Sequence, residues 1–257
     1  MHKYQMIFKR KSFHLFRDNK TRIYFSEANK ITFDEITDIY DTFKTFKPLI
    51  PNIKTDIKIV DSNMTTAKRG QEYCILLYSE KKQNYLQNIG YIGEQLDLYL
   101  ASKNIGALWF GVGKTSLTKY NDLEFVTMIL IAKVPEDNFR KDMFKSKRKP
   151  LDEIWYGEQY KHIGDIVRFA PSSCNTQPWI VKEENSNLCV YRYKKPGKRG
   201  IMPNHKIVYQ NLIDIGIFLL FLETCFEKNN IKYLIDIKND DENNNQEITL
   251  IAVFNII

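Results

Sequence analysis

Apolar and polar residues alternate along the first part of the chain in patterns that predict two helices and three strands. Residues 32–46 repeat apolar side chains at the spacing of one helix face. Thr32 precedes this helix and Glu35 stands three residues later, which is the spacing of a capping box. The elements predicted in this part are a helix at 32–46, strands at 57–60 and 73–78, a helix at 85–104 and a strand at 127–134.

After a polar and basic connector at residues 135–150, the same order of elements begins again. The run at 239–246 is rich in asparagine and acidic residues, which predicts a solvated hairpin loop or short linker and not a site. The elements predicted in this part are a helix at 161–169, strands at 180–181 and 188–193, an apolar helix at 211–228 and a strand at 249–257.

A faint internal similarity accompanies the repeated order. A shift of 126 residues superposes Ile89-Gly90 on Ile215-Gly216, and a shift of 122 brings residues 127–134 onto 249–256. Similarity at a nearly constant offset indicates repeated structural units. We therefore expect two related halves, 1–149 and 150–257.

Length and composition are those of a globular protein. With 257 residues, 43% of them hydrophobic, the chain can form one large domain or two smaller ones. The charged start lacks an apolar signal segment, and the apolar run at 217–222 is too short to cross a bilayer. Four cysteines without CxxC spacing argue against a zinc site. These features predict a cytoplasmic protein with reduced thiols, no metal and no membrane partner.

The net charge of +7 adds one further class to consider, because nucleic-acid-binding proteins are often basic. The basic residues are spread widely, and the densest run, at 145–149, has no RNA-binding signature or zinc finger beside it. A solvated, lysine-rich surface accounts for most of this charge. A nucleic-acid-binding module is therefore the last of the candidate functions, and we expect no nucleic-acid partner.

The most distinctive stretch is Ala-Pro-Ser-Ser-Cys-Asn-Thr-Gln-Pro-Trp at residues 170–179. Its two prolines restrict the backbone, and small hydroxyl and amide side chains lie between them. Amides and hydroxyls can both donate and accept hydrogen bonds, so this loop could recognise a ring with alternating carbonyls and nitrogens. An ordinary turn between a helix and a strand is the alternative, since Ser, Asn and Pro are common in turns.

This stretch resembles the flavin-contacting loop of the nitroreductase family of FMN-dependent oxidoreductases. In that family the loop normally lies near the N-terminus, whereas here it begins at residue 170. Residues 105–111 resemble the turn after the central helix of the family. The loop residues that the resemblance assigns to flavin binding are Pro171, Ser172, Ser173, Asn175 and Gln177.

Near the N-terminus, Arg10, Lys11, Ser12 and His14 resemble the family's Arg-Arg-Ser-x-Arg-x-Phe arm, which holds the FMN phosphate. These four residues place donors around one short segment, which suits a phosphate. Lys11 and His14 stand where the family has arginines. Because histidine is mostly neutral near pH 7, we expect a weaker grip on the phosphate.

The basic run resembles a third family segment, Lys-x-Arg-x-Pro, whose basic pair also contacts the phosphate. Arg148 matches its arginine, but Ser146 stands where the family has lysine, so Lys145 or Lys147 would have to substitute. The resemblance therefore adds Lys147 and Arg148 to the expected cofactor-binding residues.

The resemblance also explains why arm and loop fall in different halves. Family members are usually homodimers in which the arm of one subunit and the loop of the other hold one FMN. The implied fold is α+β and nitroreductase-like, with two related halves, each a sheet flanked by helices, forming an intrachain pseudo-dimer. It would act as a monomer with one composite FMN site and one degenerate one.

The activity implied is transfer of hydride from NAD(P)H through FMN to a small acceptor such as a nitroaromatic or a quinone. The flavin carries this chemistry while the protein binds and orients it, so we assign no catalytic acid or base. Trp109 and Trp179 could wall the flavin, although such aromatic residues are more often part of a core. The alternative is a catalytically inactive relative that binds flavin or serves as a structural protein.

Overall fold

A computed structural model describes residues 3–194, 204–244 and 246–257. Contacts within the chain divide it into two compact units. The first unit comprises Met1–Tyr85 and Ile92–Met143, and the second comprises Leu86–Tyr91 and Phe144–Ile257. The long helix at residues 85–102 therefore contributes a short segment, 86–91, to the second unit.

The first unit is built on an antiparallel sheet in the order β1-β2-β5-β3, with β4 paired to β5. The central strand β2 is buried at six of its seven positions, as expected for an apolar run between two neighbours. The predicted capping box at α2 is confirmed, because Thr32 and Glu35 bond each other's backbone amides. The elements are α1 (Lys3–Lys9), α2 (Phe33–Phe43), β1 (Thr55–Asp61), β2 (Tyr73–Ser79), α3 (Tyr85–Ser102), β3 (Ile105–Trp109), β4 (Lys119–Tyr120) and β5 (Leu123–Lys133).

The second unit has a sheet in the order β6-β7-β8-β10-β9, in which β6 pairs parallel to β7 and the other pairs are antiparallel. Its elements are β6 (Trp155–Tyr156), α4 (Lys161–Val167), β7 (Trp179–Glu184), β8 (Asn187–Tyr193), α5 (Asn204–Lys228), β9 (Tyr233–Ile237) and β10 (Ile248–Ile256).

The two sheets share one connectivity. In each unit a helix, two paired strands and a long helix are followed by two strands of a shared pattern, the last of which inserts beside the second strand; the first unit has the short β4 in addition, and the second unit has β6. The order β1-β2-β5-β3 thus corresponds to β7-β8-β10-β9. The chain is a mixed α and β protein in which helices and antiparallel sheets are combined twice in the same order.

Within the second unit, the 86–91 segment of α3 packs backbone to backbone on α5. A Cβ on Gly90 would lie 2.0 Å from the carbonyl oxygen of Ile213, and one on Gly216 would lie 1.9 Å from that of Gln87. The two contacts exchange under a shift of 126 residues, since Gly90 maps to Gly216 and Gln87 to Ile213. Only glycine permits so close an approach at both positions.

In the described part of the chain, one helical segment, Lys206–Lys228, has the length and composition of a membrane span. Within its most apolar window 89% is buried inside the protein, as in the core helix of a soluble protein. The uninterrupted apolar run at 217–222 covers only part of this helix, so the run by itself gives too short a length for the apolar segment.

Several features differ from the sequence predictions, among them the helix α1 and the short strands β4 and β6, which were not predicted. Residues 105–109 form the strand β3 and not a turn, and β9 was not predicted, because both strands are short and β9 is only partly buried. The run at 239–246 is not wholly solvated: Asp240 is 2% exposed and forms an ion pair with the buried Arg192. Asn245 lies outside the described residues.

Candidate functional site

The loop at residues 171–178 connects α4 to β7 in a conformation that is unusual for its side chains. Cys174, Asn175 and Gln177 have φ values of 52°, 55° and 48°. Non-glycine residues seldom adopt this left-handed region, and they do so only where surrounding contacts compensate the strain. The loop therefore depends on contacts with the surrounding chain that compensate this strain.

The basic run at 147–149 supplies many of these contacts. Arg148 Nη1 donates to Asn175 Oδ1 at 3.1 Å, and Asn175 Nδ2 donates to the carbonyl of Lys147 at 3.2 Å. The backbone amide of Lys149 donates to Gln177 Oε1 at 2.8 Å. Two segments that the sequence singled out separately are thus brought together in the second unit. The side chain of Lys147 itself is exposed.

The loop also closes on itself. Ser172 Oγ accepts the backbone amide of Gln177 at 3.0 Å, and Gln177 Nε2 donates to the carbonyl of Asn175 at 3.2 Å. Pro171 is buried, as is Gln177. The amide groups of Asn175 and Gln177 are therefore engaged with their own chain, and they hold the loop rigid.

Under the loop lies a contact that the sequence reasoning missed. The backbone amide of Ser173 donates to Asp214 Oδ1 on α5 at 2.9 Å. Asn211, on the same helix, donates to both Thr176 Oγ1 and Asp214 Oδ2. The sequence contained a signal of this contact, because these polar residues interrupt an otherwise apolar helix.

In the first unit, Arg10 is buried and its charge is already paired. Its Nη2 lies 2.8 Å from Asp97 Oδ2 and 3.3 Å from Ser12 Oγ, and its Nε lies 3.4 Å from Glu94 Oε1. Burial raises the pKa of Glu94 well above its ordinary value, although the Arg10 charge opposes this. Glu94 Oε2 also accepts the indole N–H of Trp109 at 3.2 Å. Arg10 therefore anchors the arm to α3.

The other three arm residues, Lys11, Ser12 and His14, line a cavity of about 230 Å³. Arg17 and Asn138 line it too, and no carboxylate does so among the described residues. Lys11 Nζ donates to the carbonyl of Asn138 at 2.8 Å. Burial, together with the nearby charge of Arg140, lowers the pKa of Lys11. A cavity with the cationic side chains of Lys11 and Arg17 and with neutral donors, but with no acid among the described residues, favours an anion such as a phosphate.

The remaining candidates have structural roles. Trp179 is fully buried and stacks on Phe218 with ring centroids 4.7 Å apart, so it belongs to the core of the second unit. The four cysteines are free thiols. Among the residues that the structure describes, no group of three or more His, Cys, Asp or Glu side chains could hold a metal ion.

The residues present fit a phosphorylated flavin as two separate sets. The arm cavity of the first unit offers cations and hydroxyl or amide donors to a phosphate. The loop of the second unit offers backbone groups held in an unusual and fixed geometry, as recognition of a planar polar ring requires. The residues of each set all lie within one unit.

Comparisons with known proteins bear on the family and the fold of the chain. A family model described as "Putative TM nitroreductase" matches residues 3–225 of the 257. Among solved structures, a putative nitroreductase from Thermotoga maritima MSB8 matches with a TM-score of 0.61 and 17% sequence identity, over 99% of this chain and 93% of that chain. At that identity the likeness shows the fold. No curated protein matches the chain.

Proposed function

This chain belongs to the nitroreductase family whose model it matches, and from that premise we propose that it is an oxidoreductase that uses FMN. The proposed donor is NAD(P)H, and the proposed acceptors are small molecules such as nitroaromatics or quinones. Neither a nucleic acid nor a membrane is a partner in this proposal, which places the protein in the cytoplasm as a monomer.

The observation that carries the proposal is the arm cavity. Lys11, Ser12 and His14, which the sequence resemblance assigns to the FMN phosphate, line one cavity together with Arg17. Arg17 provides a second permanent cation where the arm has lost arginines. Phosphate is recognised by several donors and cations that converge without a competing acid, and the cavity meets that requirement.

Arg10 stabilises the arm next to this cavity. Its guanidinium bonds Asp97 and lies within 3.3 Å of Ser12 Oγ, so it fixes the backbone of the arm next to the cavity. We propose that Arg10 orients Ser12 and Lys11 toward the phosphate. The Lys147–Lys149 run has the matching role in the second unit, where it holds the loop.

FMN, when bound, supplies the hydride and electron transfer between the nicotinamide and the acceptor. The contribution of the chain is to bind and orient. In the loop at 171–178 the amides of Ser173, Asn175, Thr176 and Gln177 bond within the protein and fix its geometry, which leaves the amides of Ser172 and Cys174 to face a ligand. Preorganised N–H groups stabilise the negative charge that a reduced ring acquires, because they need no rearrangement when it forms.

We further propose that residues 1–149 and 150–257 are related halves of a pseudo-dimer with one FMN per chain. The shared strand order and the reciprocal Gly90 and Gly216 contacts support this proposal. Closed two-fold assemblies have this reciprocity, because residue i contacts j wherever j contacts i. The arm occurs only in the first half and the loop only in the second.

One observation favours the alternative, a flavin-binding or structural relative without turnover. Both polar groups of the Asn175 side chain are engaged with the basic run, so they would have to be released before they could contact a ring. In the active enzyme the backbone of the loop recognises the ring. In the inactive relative the network is purely structural.

The test is anaerobic reduction. The purified protein is mixed with FMN, separated from free flavin by gel filtration, and titrated with NADH and then NADPH while the flavin absorbance is followed. We expect bleaching by at least one nicotinamide and recovery of colour on adding a quinone. Retention of flavin without bleaching by either donor would select the inactive alternative, and failure to retain flavin would reject both flavin-binding forms.

A further inference from the structure

The apolar helix α5 carries three buried polar side chains beneath the loop: Gln210, Asn211 and Asp214. Asp214 is 3% exposed and accepts the Ser173 amide, whereas Asn211 bridges Asp214 to Thr176. Gln210 Oε1 lies 3.5 Å from Ser173 Oγ. The helix therefore holds the loop at Ser173 and at Thr176, on either side of the turn between them.

The backbone between these two anchors is the strained part of the loop. Cys174 and Asn175 both have positive φ, each at a cost of order 1–3 kcal/mol for a residue with a side chain. Such a conformation persists only where both of its ends are fixed. The carboxylate of Asp214 bonds one anchor directly and also orients Asn211, which bonds the other.

We propose that Asp214 is the positioning residue of the flavin-binding loop, and that its carboxylate holds residues 171–178 in the conformation that recognises the ring. This assignment rests on the proposed function only in taking the loop as the flavin-binding element. Asp214 acts through Ser173 and Asn211, and it has no role in the transfer of electrons.

The charge of Asp214 makes this role testable by pH. Burial raises the pKa of Asp214 to about 7, although hydrogen bonds from Ser173, Asn211 and Thr176 oppose the increase. These three neighbours on the loop and on α5 are all neutral, and no charged side chain is among the groups that shift the pKa most. The carboxyl therefore gains or loses its proton near neutral pH.

The sign of the effect on stability is opposite to the effect on the loop. Because the folded-state pKa lies above the ordinary value of aspartate, stability is lost as pH rises through about 7 and the buried charge forms. The ionised carboxylate nevertheless makes the stronger hydrogen bonds to the Ser173 amide and to Asn211. Because the hydrogen bonds of the loop lower the pKa of Asp214 while burial raises it, raising the pH should order the loop over a carboxyl that stays buried on α5, while it lowers the global stability. A carboxyl that does not hold the loop would lower the global stability without ordering the loop.

The experiment measures amide hydrogen exchange of the loop in the flavin-free protein, together with dissociation constants for FMN and riboflavin, at about pH 6 and about pH 8 on either side of that pKa. The variants are Asp214→Asn and the exchange Asn211→Asp with Asp214→Asn. Glu223→Gln is the matched control, because Glu223 is a buried carboxylate nine residues further along the same helix and accepts a hydrogen bond from Tyr91.

We expect wild type to protect the loop better at the higher pH, after correction for intrinsic exchange. Asp214→Asn should exchange about tenfold faster at the higher pH and bind both flavins about tenfold more weakly, without pH dependence, since a charged hydrogen bond has become neutral. The exchanged pair should recover most of the protection, because one carboxylate and one amide again face each other. Glu223→Gln should behave as wild type.

The proposal is overturned if Asp214→Asn keeps wild-type protection at the higher pH, if the exchanged pair recovers nothing, or if Glu223→Gln loosens the loop equally. Absence of flavin binding in wild type would reject the proposed function instead. The exchange measurement needs no flavin, so it decides the role of Asp214 in either case.

Discussion

Neighbouring residues of the arm differ in what their charges can do. Arg10 is enclosed by α3 and neutralised by Asp97, whereas Lys11 donates to a backbone carbonyl and lines the cavity. A cation whose partner is a neutral carbonyl retains its full attraction for an anion. Binding of the phosphate should therefore depend on Lys11 more directly than on Arg10, although the motif contains both residues.

Lys11→Met tests the phosphate contact, since methionine keeps most of the apolar stem and removes the charge. We expect FMN to bind about 10- to 100-fold more weakly, the equivalent of one charge-assisted hydrogen bond, while riboflavin, which has no phosphate, changes little. Lys9→Met is the control, because Lys9 bonds Asn104 and Glu136 and does not line the cavity. Equal losses for FMN and riboflavin would show that Lys11 does not contact the phosphate.

Arg10→Met should act chiefly on stability. It leaves Asp97 and Glu94 buried without their counter-charge, and breaking such a group typically costs about 3–5 kcal/mol. Denaturant unfolding followed by circular dichroism would measure the loss. Lys44→Met, which breaks an exposed pair with Asp41, should change the stability far less, because solvent screens an exposed pair. An Arg10→Met protein as stable as wild type would contradict the pairing of Arg10 with α3.

Motif residues could be selected from the sequence because their chemistry is local to ten consecutive positions. The residues that these motif residues contact could not be selected in this way. Asp97 lies 87 positions from Arg10, and Asp214 lies 41 positions from Ser173. Local spacing carries no information on such distant pairs. What the sequence does show is that an acidic residue interrupts an apolar helix, which signals a buried polar contact without naming its partner.

Whole elements were predicted best where one face or one complete run is apolar. The helices α2 and α3 and the strands β2 and β8 lie where periodicity placed them, because burial on a sheet or in a helix interior imposes that periodicity. The helix α5 ends where predicted but begins at Asn204, seven residues before the predicted start at 211. The strands β3 and β9 were not predicted, since each is five residues long and takes its structure from pairing with a longer neighbour. A short strand is specified by its partner more than by its own sequence.

The contact between α3 and α5 yields a prediction for two glycines. Gly90→Ala and Gly216→Ala should each place a Cβ about 2 Å from a backbone carbonyl that cannot turn away. Overpacking of this kind typically costs about 1–3 kcal/mol, and alanine returns only about 1 kcal/mol in helix propensity. Both variants should therefore unfold at lower denaturant concentration than wild type, and by similar amounts. A stabilised variant at either position would contradict the close approach.

Across the whole chain, one topology occurs twice while the proposed site residues occur once. The repeated strand order and the reciprocal glycine contacts indicate that the architecture has been retained in both units. In contrast, residues 46–51, which stand in the position of the loop, contain no amide side chain, and residues 150–154 carry no Arg-x-Ser arm. Packing constrains both units equally, whereas ligand recognition needs each segment only once.

This asymmetry predicts one FMN per chain. Titration of flavin-free protein with FMN, followed by flavin fluorescence and checked by phosphate analysis of the gel-filtered complex, should saturate at about one equivalent, since each recognition element is present in a single copy. Mass measurement by light scattering should give a monomer of 30.4 kDa under the same conditions. Two equivalent FMN molecules per chain would require a second arm and a second loop that the sequence does not contain, and would reject the pseudo-dimer with a single site. One FMN per two chains would place the complete site in an assembly of two copies, and the monomer proposal would then be wrong.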